Sequence, residues 1–155
     1  MSPRWRWFLL GYLLALPHTL VGLLLALVYR SREWRWSDGC LECIAGSKDR
    51  RTRIWGQPWA QTHGFLIIYD CEAHRETPWL RVHERVHVFQ GFVGSVFFPI
   101  AYGVCFTAHF VWTGCKNWWR SYEAIPFERA ARARADDIVS RKVRGTLEGR
   151  WGAGQ

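Results

Sequence analysis

The sequence contains no internal repeat and no low-complexity linker, and its 155 residues match one domain with short appendages. Charged residues are scarce at 22%, while hydrophobic residues reach 49%, and this balance excludes a disordered chain. Only three of the 21 basic residues are lysine, and the acids number 13, which leaves a net charge of +8. A basic, arginine-rich chain with eleven tryptophans suits an anionic partner, either nucleic acid or anionic lipid.

Charge is absent altogether from residues 8–29, and a helix of this length would extend ~33 Å, enough to cross a bilayer core. Tryptophan and tyrosine flank the segment on both sides, as they do at membrane interfaces. A cleaved signal peptide is the alternative, but the segment is too long for one and has no small-residue cleavage site after it. We therefore expect an uncleaved membrane anchor over residues 1–35, with a kink at Pro17 and membrane lipid as a partner.

The middle of the chain predicts a small sheet. Turn-forming residues at 37–39 and 56–58 divide it, and residues 65–69 are apolar and branched, as in a strand. We expect an α+β fold with an antiparallel sheet of two to four strands within residues 40–70. Helices are expected at about 78–98, 100–113 and 125–143. The predicted domain covers residues 36–147, and the glycine-rich residues 148–155 are expected to be a flexible tail.

Cysteine is the residue type whose pattern stays ambiguous. Cys40 and Cys43 form a C-x-x-C pair, which Cys71 and His74 could complete to a zinc site. A local disulfide or two unlinked thiols is the simpler explanation. Because the chain has five cysteines, at least one thiol has no intramolecular disulfide partner.

The most informative segment is residues 83–90, which begin with the pattern H-E-x-x-H. On a helix, residues four apart share a face, so the imidazoles of His83 and His87 can bind one cation. Glu84 would then lie beside the metal, where it can take a proton from a water molecule. Pro78 is favoured at the start of a helix, and Gln90 falls on the same face as His87. The alternative is a solvated amphipathic helix in which the two histidines have no joint role.

A catalytic zinc site requires a third protein ligand in addition to the two histidines. Pro126 can start a helix, which places Glu128 in the first turn, where the helix dipole favours a carboxylate. Ala131 and Ala135 share the face of Glu128, so this face can approach the histidine helix closely. We expect Glu128 to be the third ligand; alternatively, it pairs with Arg132 one turn later. The other candidates are His109, Cys115, Asp136, Asp137 and, as the reserve ligand, Glu123.

An H-E-x-x-H motif followed by a helix-borne glutamate resembles the gluzincin type of zinc metallopeptidase. More closely, the segment HERVHVxQ, then an apolar stretch, then Y-x-x-x-P-F-E-x-x-A, is similar to a group of small bacterial and phage proteins that are labelled metallopeptidases or left without a function. The resemblance covers residues 78–135 and implies zinc bound by His83, His87 and Glu128, with Glu84 as the base. Ile125 departs from the pattern, because asparagine is expected before the proline, and this difference affects the entry to the helix.

Two further residues are candidates for contact with the substrate. Gln90 lies on the site-facing side of the histidine helix, and Tyr122 lies just upstream of the expected ligand helix. Either side chain could orient the substrate or stabilise the oxyanion that develops during hydrolysis.

Residues 89–112 also carry no charge, and as one straight helix they would span ~36 Å and cross a bilayer. Glu128 would then lie on the opposite side of the membrane from His83 and His87, and no joint site could form. Pro99 can interrupt the helix. We therefore expect an apolar hairpin of two helices, in which His109 is a hydrogen-bonded packing residue.

Two classes of function compete. The first is a membrane-anchored zinc metallopeptidase that cuts a peptide or protein laid beside strand 65–69. The second is a non-enzymatic membrane protein with two spans and a basic tail, whose histidines are incidental or bind metal without catalysis. An intramembrane protease is a weaker third possibility, because neither charge-free segment supplies an acidic ligand. Nucleic acid is not expected as a partner, because the C-terminal arginines are interleaved with acids.

The charge balance also bears on localisation. Basic residues exceed acids by nine to five in residues 114–155 and by ten to eight in residues 30–87. In a membrane-anchored protein, the positive-inside rule then favours a cytoplasmic domain, at the inner membrane if the cell is bacterial.

Overall fold

Six helices and four strands form a mixed α+β fold in residues 3–46, 60–95 and 97–152, which are the residues that the computed structural model describes. The helices are α1 (Pro3–Val28), α2 (Glu72–Arg75), α3 (Pro78–Gly94), α4 (Phe97–Trp112), α5 (Trp118–Glu123) and α6 (Pro126–Gly152). The strands are β1 (Arg32–Ser37), β2 (Cys40–Ile44), β3 (Ala60–His63) and β4 (Leu66–Tyr69). The predicted α+β class is confirmed, and the short helices α2 and α5 are additions to the predicted set.

The sheet is mixed, so the prediction of an antiparallel sheet is wrong. Its strand order is β1-β2-β4-β3. The pairs β1–β2 and β3–β4 are antiparallel, but β2 and β4 are parallel, with Leu41 opposite Leu66 and Ile44 opposite Tyr69. A parallel pair cannot be joined by a tight hairpin, so the chain forms β3 first and then returns between β2 and β3. The predicted turn at residues 37–39 joins β1 to β2, whereas the one at 56–58 lies outside the described residues.

Strand β4 takes an interior position because it is apolar on both faces. All four of its residues are buried. Leu66 and Ile68 pack in a cluster with Ala26 of α1, whereas the alternate residues pack in a cluster with Val88 of α3. Successive side chains of a strand point to opposite faces, so a strand covered on both sides has to be apolar throughout. The sheet is therefore a layer between α1 and α3.

Helix α1 packs against the sheet through small residues. Gly22 lies so close to the sheet that an added Cβ would meet the Cβ of His63 at 2.5 Å. Thr19 Oγ1 and His18 Nδ1 accept hydrogen bonds from backbone N–H groups of the β3–β4 turn, at 3.2 and 3.3 Å. The helix runs through Pro17 without interruption. One face of α1 is thus part of the fold.

The other face of α1 is exposed and apolar. Residues Leu9–Val28 are long and apolar enough to cross a membrane, a property that signal sequences and core helices of soluble proteins share. The exposed large side chains of α1 include those of Leu9, Leu13, Leu16, Leu20, Leu24 and Leu27.

The charge-free residues 89–112 are bent instead of forming one straight helix. Helices α3 and α4 meet at an angle of 113°. The break lies near Ser95, whose φ of 50° is outside the helical region, and not at Pro99 as predicted. Pro99 is the third residue of α4, where the missing N–H has no helical partner in any case. The bend of the apolar helical hairpin therefore lies four residues before the position predicted for it.

Helix α6 packs on α3 and brings the C-terminal part of the chain to the histidines. Ala131 and Ala135 are completely buried, in keeping with the small face predicted for this helix. The indole N–H of Trp79 donates to Asp136 at 2.7 Å and ties the start of α3 to α6. Because α6 extends to Gly152, the predicted boundary at residue 147 lies within a helix, and residues 153–155 lie outside the described part of the chain.

Candidate metal centre

His83, His87 and Glu128 meet at one point between α3 and α6 and could hold a metal ion. Nε2 of His83 lies 3.1 Å from Nε2 of His87, and the Glu128 carboxylate oxygens lie 3.3 and 3.1 Å from these two nitrogens. Ligands of a tetrahedral zinc ion, at 2.0–2.1 Å from it, are about 3.3–3.4 Å apart. The three residues are at most 7% exposed, so the donor set and its spacing fit such an ion.

The protonation of His87 follows from its neighbour Gln90. The amide nitrogen of Gln90 donates to the carbonyl oxygen of Phe127 at 3.1 Å, which turns its Oε1 toward Nδ1 of His87 at 2.8 Å. Because Oε1 can only accept, Nδ1 carries the hydrogen, and Nε2 of a neutral His87 presents a lone pair to the centre. Partners of this kind orient metal-binding histidines in known sites.

Glu128 is an ionised carboxylate despite its burial. Desolvation would raise its pKa, but the rings of His83 and His87, when protonated, donate hydrogen bonds to the carboxylate and carry positive charge, which holds that pKa well below its usual value. Tyr102 donates its hydroxyl to Oε1 of Glu128 at 2.7 Å, whereas Oε2 lies 3.3 Å from Nε2 of His83. The alternative pairing of Glu128 with Arg132 is wrong, because Arg132 lies 3.2 Å from Glu123. That contact also leaves the reserve ligand Glu123 on the surface.

The expected base, Glu84, is fixed beside the centre by the edge of the sheet. Its Oε2 accepts a hydrogen bond of 2.6 Å from the hydroxyl of Thr62 on β3, and the side chain is nearly fully buried. Glu84, His87 and Glu128 all line an open pocket of about 350 Å³. The pocket is completed by residues of α1, β3, α4 and α5, among them His18, Thr62, His63, Phe98, Tyr102 and Tyr122.

Of the two candidates for substrate contact, Tyr122 lines this pocket, whereas Gln90 is not among its lining residues. Burial, together with the negative charge of Glu128 and Glu84, raises the pKa of the Tyr122 hydroxyl. The hydroxyl therefore stays protonated at neutral pH and can donate a hydrogen bond.

The C-x-x-C pair does not form a metal site with Cys71 and His74. Cys40 packs on the α3 side of the sheet and Cys43 on the α1 side, because residues three apart on a strand point to opposite faces. All five cysteines are free thiols. His74 instead forms a separate, partly exposed group with Asp70 and Cys71, in which both neighbours contact the same ring nitrogen, Nδ1.

Sequence patterns missed two residues of the site, Thr62 and Tyr102. Nothing marks Thr62, since its role depends on β3 lying beside α3. Tyr102 carries a signal in hindsight, because it is the one phenol within the charge-free residues 89–112. A buried hydroxyl in such a segment requires a hydrogen-bond partner.

Known proteins do not identify this centre: no family model, curated protein or solved structure matches the chain.

Proposed function

We propose that the protein is a membrane-associated zinc metallopeptidase that resembles gluzincins. The observation that carries this proposal is the convergence of three buried side chains, with nearest ligand atoms 3.1–3.3 Å apart, from the H-E-x-x-H helix and from a second helix. Two imidazoles and one carboxylate form the ligand set of many zinc hydrolases, and three protein ligands are typical of catalytic zinc sites. An acid at the position of Glu84, inside the same pocket, adds the required base.

Each residue of the pocket has a separate role in the proposed hydrolysis. Zinc bound here would lower the pKa of a water molecule and polarise the substrate carbonyl. Glu84, held by Thr62, accepts the proton of the attacking water and passes it to the leaving amine. Tyr122 donates a hydrogen bond to the carbonyl oxygen as negative charge develops there. Gln90 positions His87 rather than the substrate, since both ends of its amide are engaged.

Strand β3 supports a peptide as the substrate. Within the described residues it pairs only with β4, and its residues line the pocket beside Glu84. An extended peptide can add to such an edge through backbone hydrogen bonds. The substrate therefore lies beside β3 and not beside strand 65–69, since β4 is an interior strand with neighbours on both sides.

Zinc content and turnover of three variants test this proposal. Glu84→Gln is expected to keep stoichiometric zinc and to lose peptide hydrolysis by roughly 10²–10⁴-fold, because only the base is removed. His87→Ala and Glu128→Ala are expected to lose zinc and activity together, because two protein ligands hold the ion far less tightly than three. Metal analysis of purified protein and a fluorogenic peptide assay measure the two effects.

Glu123→Ala is the matched control, since this carboxylate pairs with Arg132 at the surface. Zinc and turnover should be unchanged in this variant. A loss of zinc in Glu123→Ala together with its retention in Glu128→Ala would mean that the third ligand is misassigned. Wild-type protein that binds no zinc at micromolar concentration would refute the proposed function.

A further inference from the structure

The pocket of the metal centre has the middle of α1 as one wall. His18 lines it, and His18 lies ~14–15 Å from either end of the apolar segment Leu9–Val28 at 1.5 Å per residue. A bilayer core is about 30 Å thick, so a helix that crosses it carries its central residue near the midplane. The ring of His18 contacts the ring of His63 on β3, 3.3 Å between nitrogens, which joins this wall to the edge strand.

The opposite wall belongs to α4. Phe98, Pro99, Tyr102 and Gly103 line the pocket on one side of this helix. The other side presents large apolar groups to the exterior, and α4 carries no charged residue. The exposed side chains on that side are those of Phe97, Ile100, Val104 and Val111. The pocket is thus lined by two helices whose outer faces are apolar.

The charged residues of the metal centre are compatible with a pocket that faces lipid. His83, His87 and Glu128 are buried and contact one another, so their charges are compensated inside the protein. Neither apolar helix has to supply an acid, because Glu128 comes from α6. The absence of acids from the two charge-free segments is therefore no obstacle to a site that faces lipid.

We infer that the pocket takes its substrate from the lipid phase: an apolar peptide segment held in the bilayer enters between α1 and α4 and is cleaved where it extends along β3. This inference rests on the proposed peptidase function and adds the substrate class to it. Backbone groups of an unwound peptide are costly to expose in lipid, and the outer edge of β3, which is unpaired within the described residues, offers hydrogen-bond partners for them. His18 of α1 and His63 of β3 add polar side chains to the pocket wall beside this edge.

Gly103 provides a sharp test, because it is exposed, lines the pocket, and has no atom within 4 Å of an added Cβ. Gly103→Leu should fill the entrance without disturbing the packing. In phosphatidylcholine vesicles that contain the zinc-loaded full chain, we expect the variant to retain zinc and to cleave a membrane-inserted peptide at least tenfold more slowly than wild type. Ala108→Leu is the matched control, since Ala108 is exposed on the same helix but does not line the pocket.

The wild type should also cleave the membrane-inserted peptide with a higher kcat/KM than a soluble peptide that has the same cleavable residues. An equal or higher kcat/KM for the soluble peptide would overturn the inference and leave the proposed peptidase function intact. Failure to bind zinc, or to cleave either peptide, would overturn the proposed function itself.

A second measurement is independent of turnover. A photoreactive benzoylphenylalanine at position 103 should crosslink to phospholipid acyl chains in vesicles, whereas the same group at position 134, an exposed site on α6, should not. Lack of lipid crosslinking at position 103 in zinc-loaded protein would refute entry from the lipid phase.

Discussion

Glu42 is a charged residue with no exposed surface, and it connects the sheet to the histidine helix. Its carboxylate lies 2.7 Å from Arg35 of β1 and 3.3 Å from Arg85 of α3. A buried charge needs such partners, and removing one member of the group leaves the others uncompensated. Arg85 is one of the two unspecified residues of the H-E-x-x-H pattern, so this contact also fixes the orientation of α3.

We expect Glu42→Ala to lower the free energy of unfolding by about 3 kcal/mol, because it leaves arginines without their buried partner. The comparison is Glu76→Ala, which removes the half-exposed partner of the same Arg35. Such an exposed pair contributes little to stability, because water and salt screen it. Thermal unfolding in one detergent measures both variants, and equal effects would contradict a special role for Glu42.

His63 predicts a pH dependence of stability. Burial, with a smaller contribution from His18, lowers the pKa of His63 to about 4. In the unfolded chain the pKa is about 6.5, so between these values the unfolded state binds more protons and stability falls as the pH is lowered. The slope is at most about 1.4 kcal/mol per pH unit.

Between pH 7 and pH 5, the thermal midpoint of His63→Phe should therefore decrease less than that of the wild type. Burial would lower the pKa of His87, but Glu128 raises it, so His87 acts in the opposite direction and equally in both proteins. This window lies above the range in which Glu128 would be protonated, since its pKa is held low. Identical decreases in the two proteins would show that His63 is not the group responsible.

At the residue scale, sequence reasoning brought together the three residues that could hold a metal ion, but not the residues that support them. His83 and His87 follow from a local period, because residues four apart on a helix share a face. Glu128 was identifiable because Pro126 fixes the start of its helix. Thr62 and Tyr102 hold Glu84 and Glu128 from other elements, and no local pattern reports such contacts.

At the scale of elements, two glycines in helices have opposite surroundings. An added Cβ at Gly22 would overlap with His63 of the sheet, whereas one at Gly103 would meet no atom within 4 Å. We expect Gly22→Ala to destabilise the protein by about 1–3 kcal/mol, because α1 must move away from the sheet. Gly103→Ala should be neutral or stabilising by up to about 1 kcal/mol, since alanine favours helix. Chemical unfolding in detergent distinguishes the two, and a neutral Gly22→Ala would mean that α1 does not contact β3 closely.

Element types were more predictable than their arrangement. The strand at residues 66–69 and the helices that start at Pro78 and Pro126 follow from composition and from proline. The parallel pairing of β2 with β4 does not follow from composition, because it depends on which strand can be covered on both faces. The break near Ser95 was misplaced because a proline in the first turn of a helix starts it instead of ending it.

At the scale of the whole molecule, α1 is expected to be indispensable. A chain of residues 29–155 would lose the cover of the sheet face that carries Cys43, Leu66 and Ile68. It would also lose the two hydrogen bonds of α1 to the β3–β4 turn. We expect this fragment to aggregate and to bind no zinc, as judged by size-exclusion chromatography and metal analysis. A soluble, zinc-binding fragment would instead mean that α1 is a separable anchor.

The contact between α1 and the β3–β4 turn also has a consequence for synthesis on the ribosome. Thr19 leaves the ribosome 46 residues before its partner Phe65. At 5–20 residues per second, this interval lasts roughly 2–9 s. During this interval, no strand covers the sheet-facing side of α1, and its outer side is also uncovered. Both sides are apolar, so their exposure to water is unfavourable. The nascent helix therefore needs a temporary host such as the bilayer or a chaperone, and the strands arrive later to a helix that is already held in place.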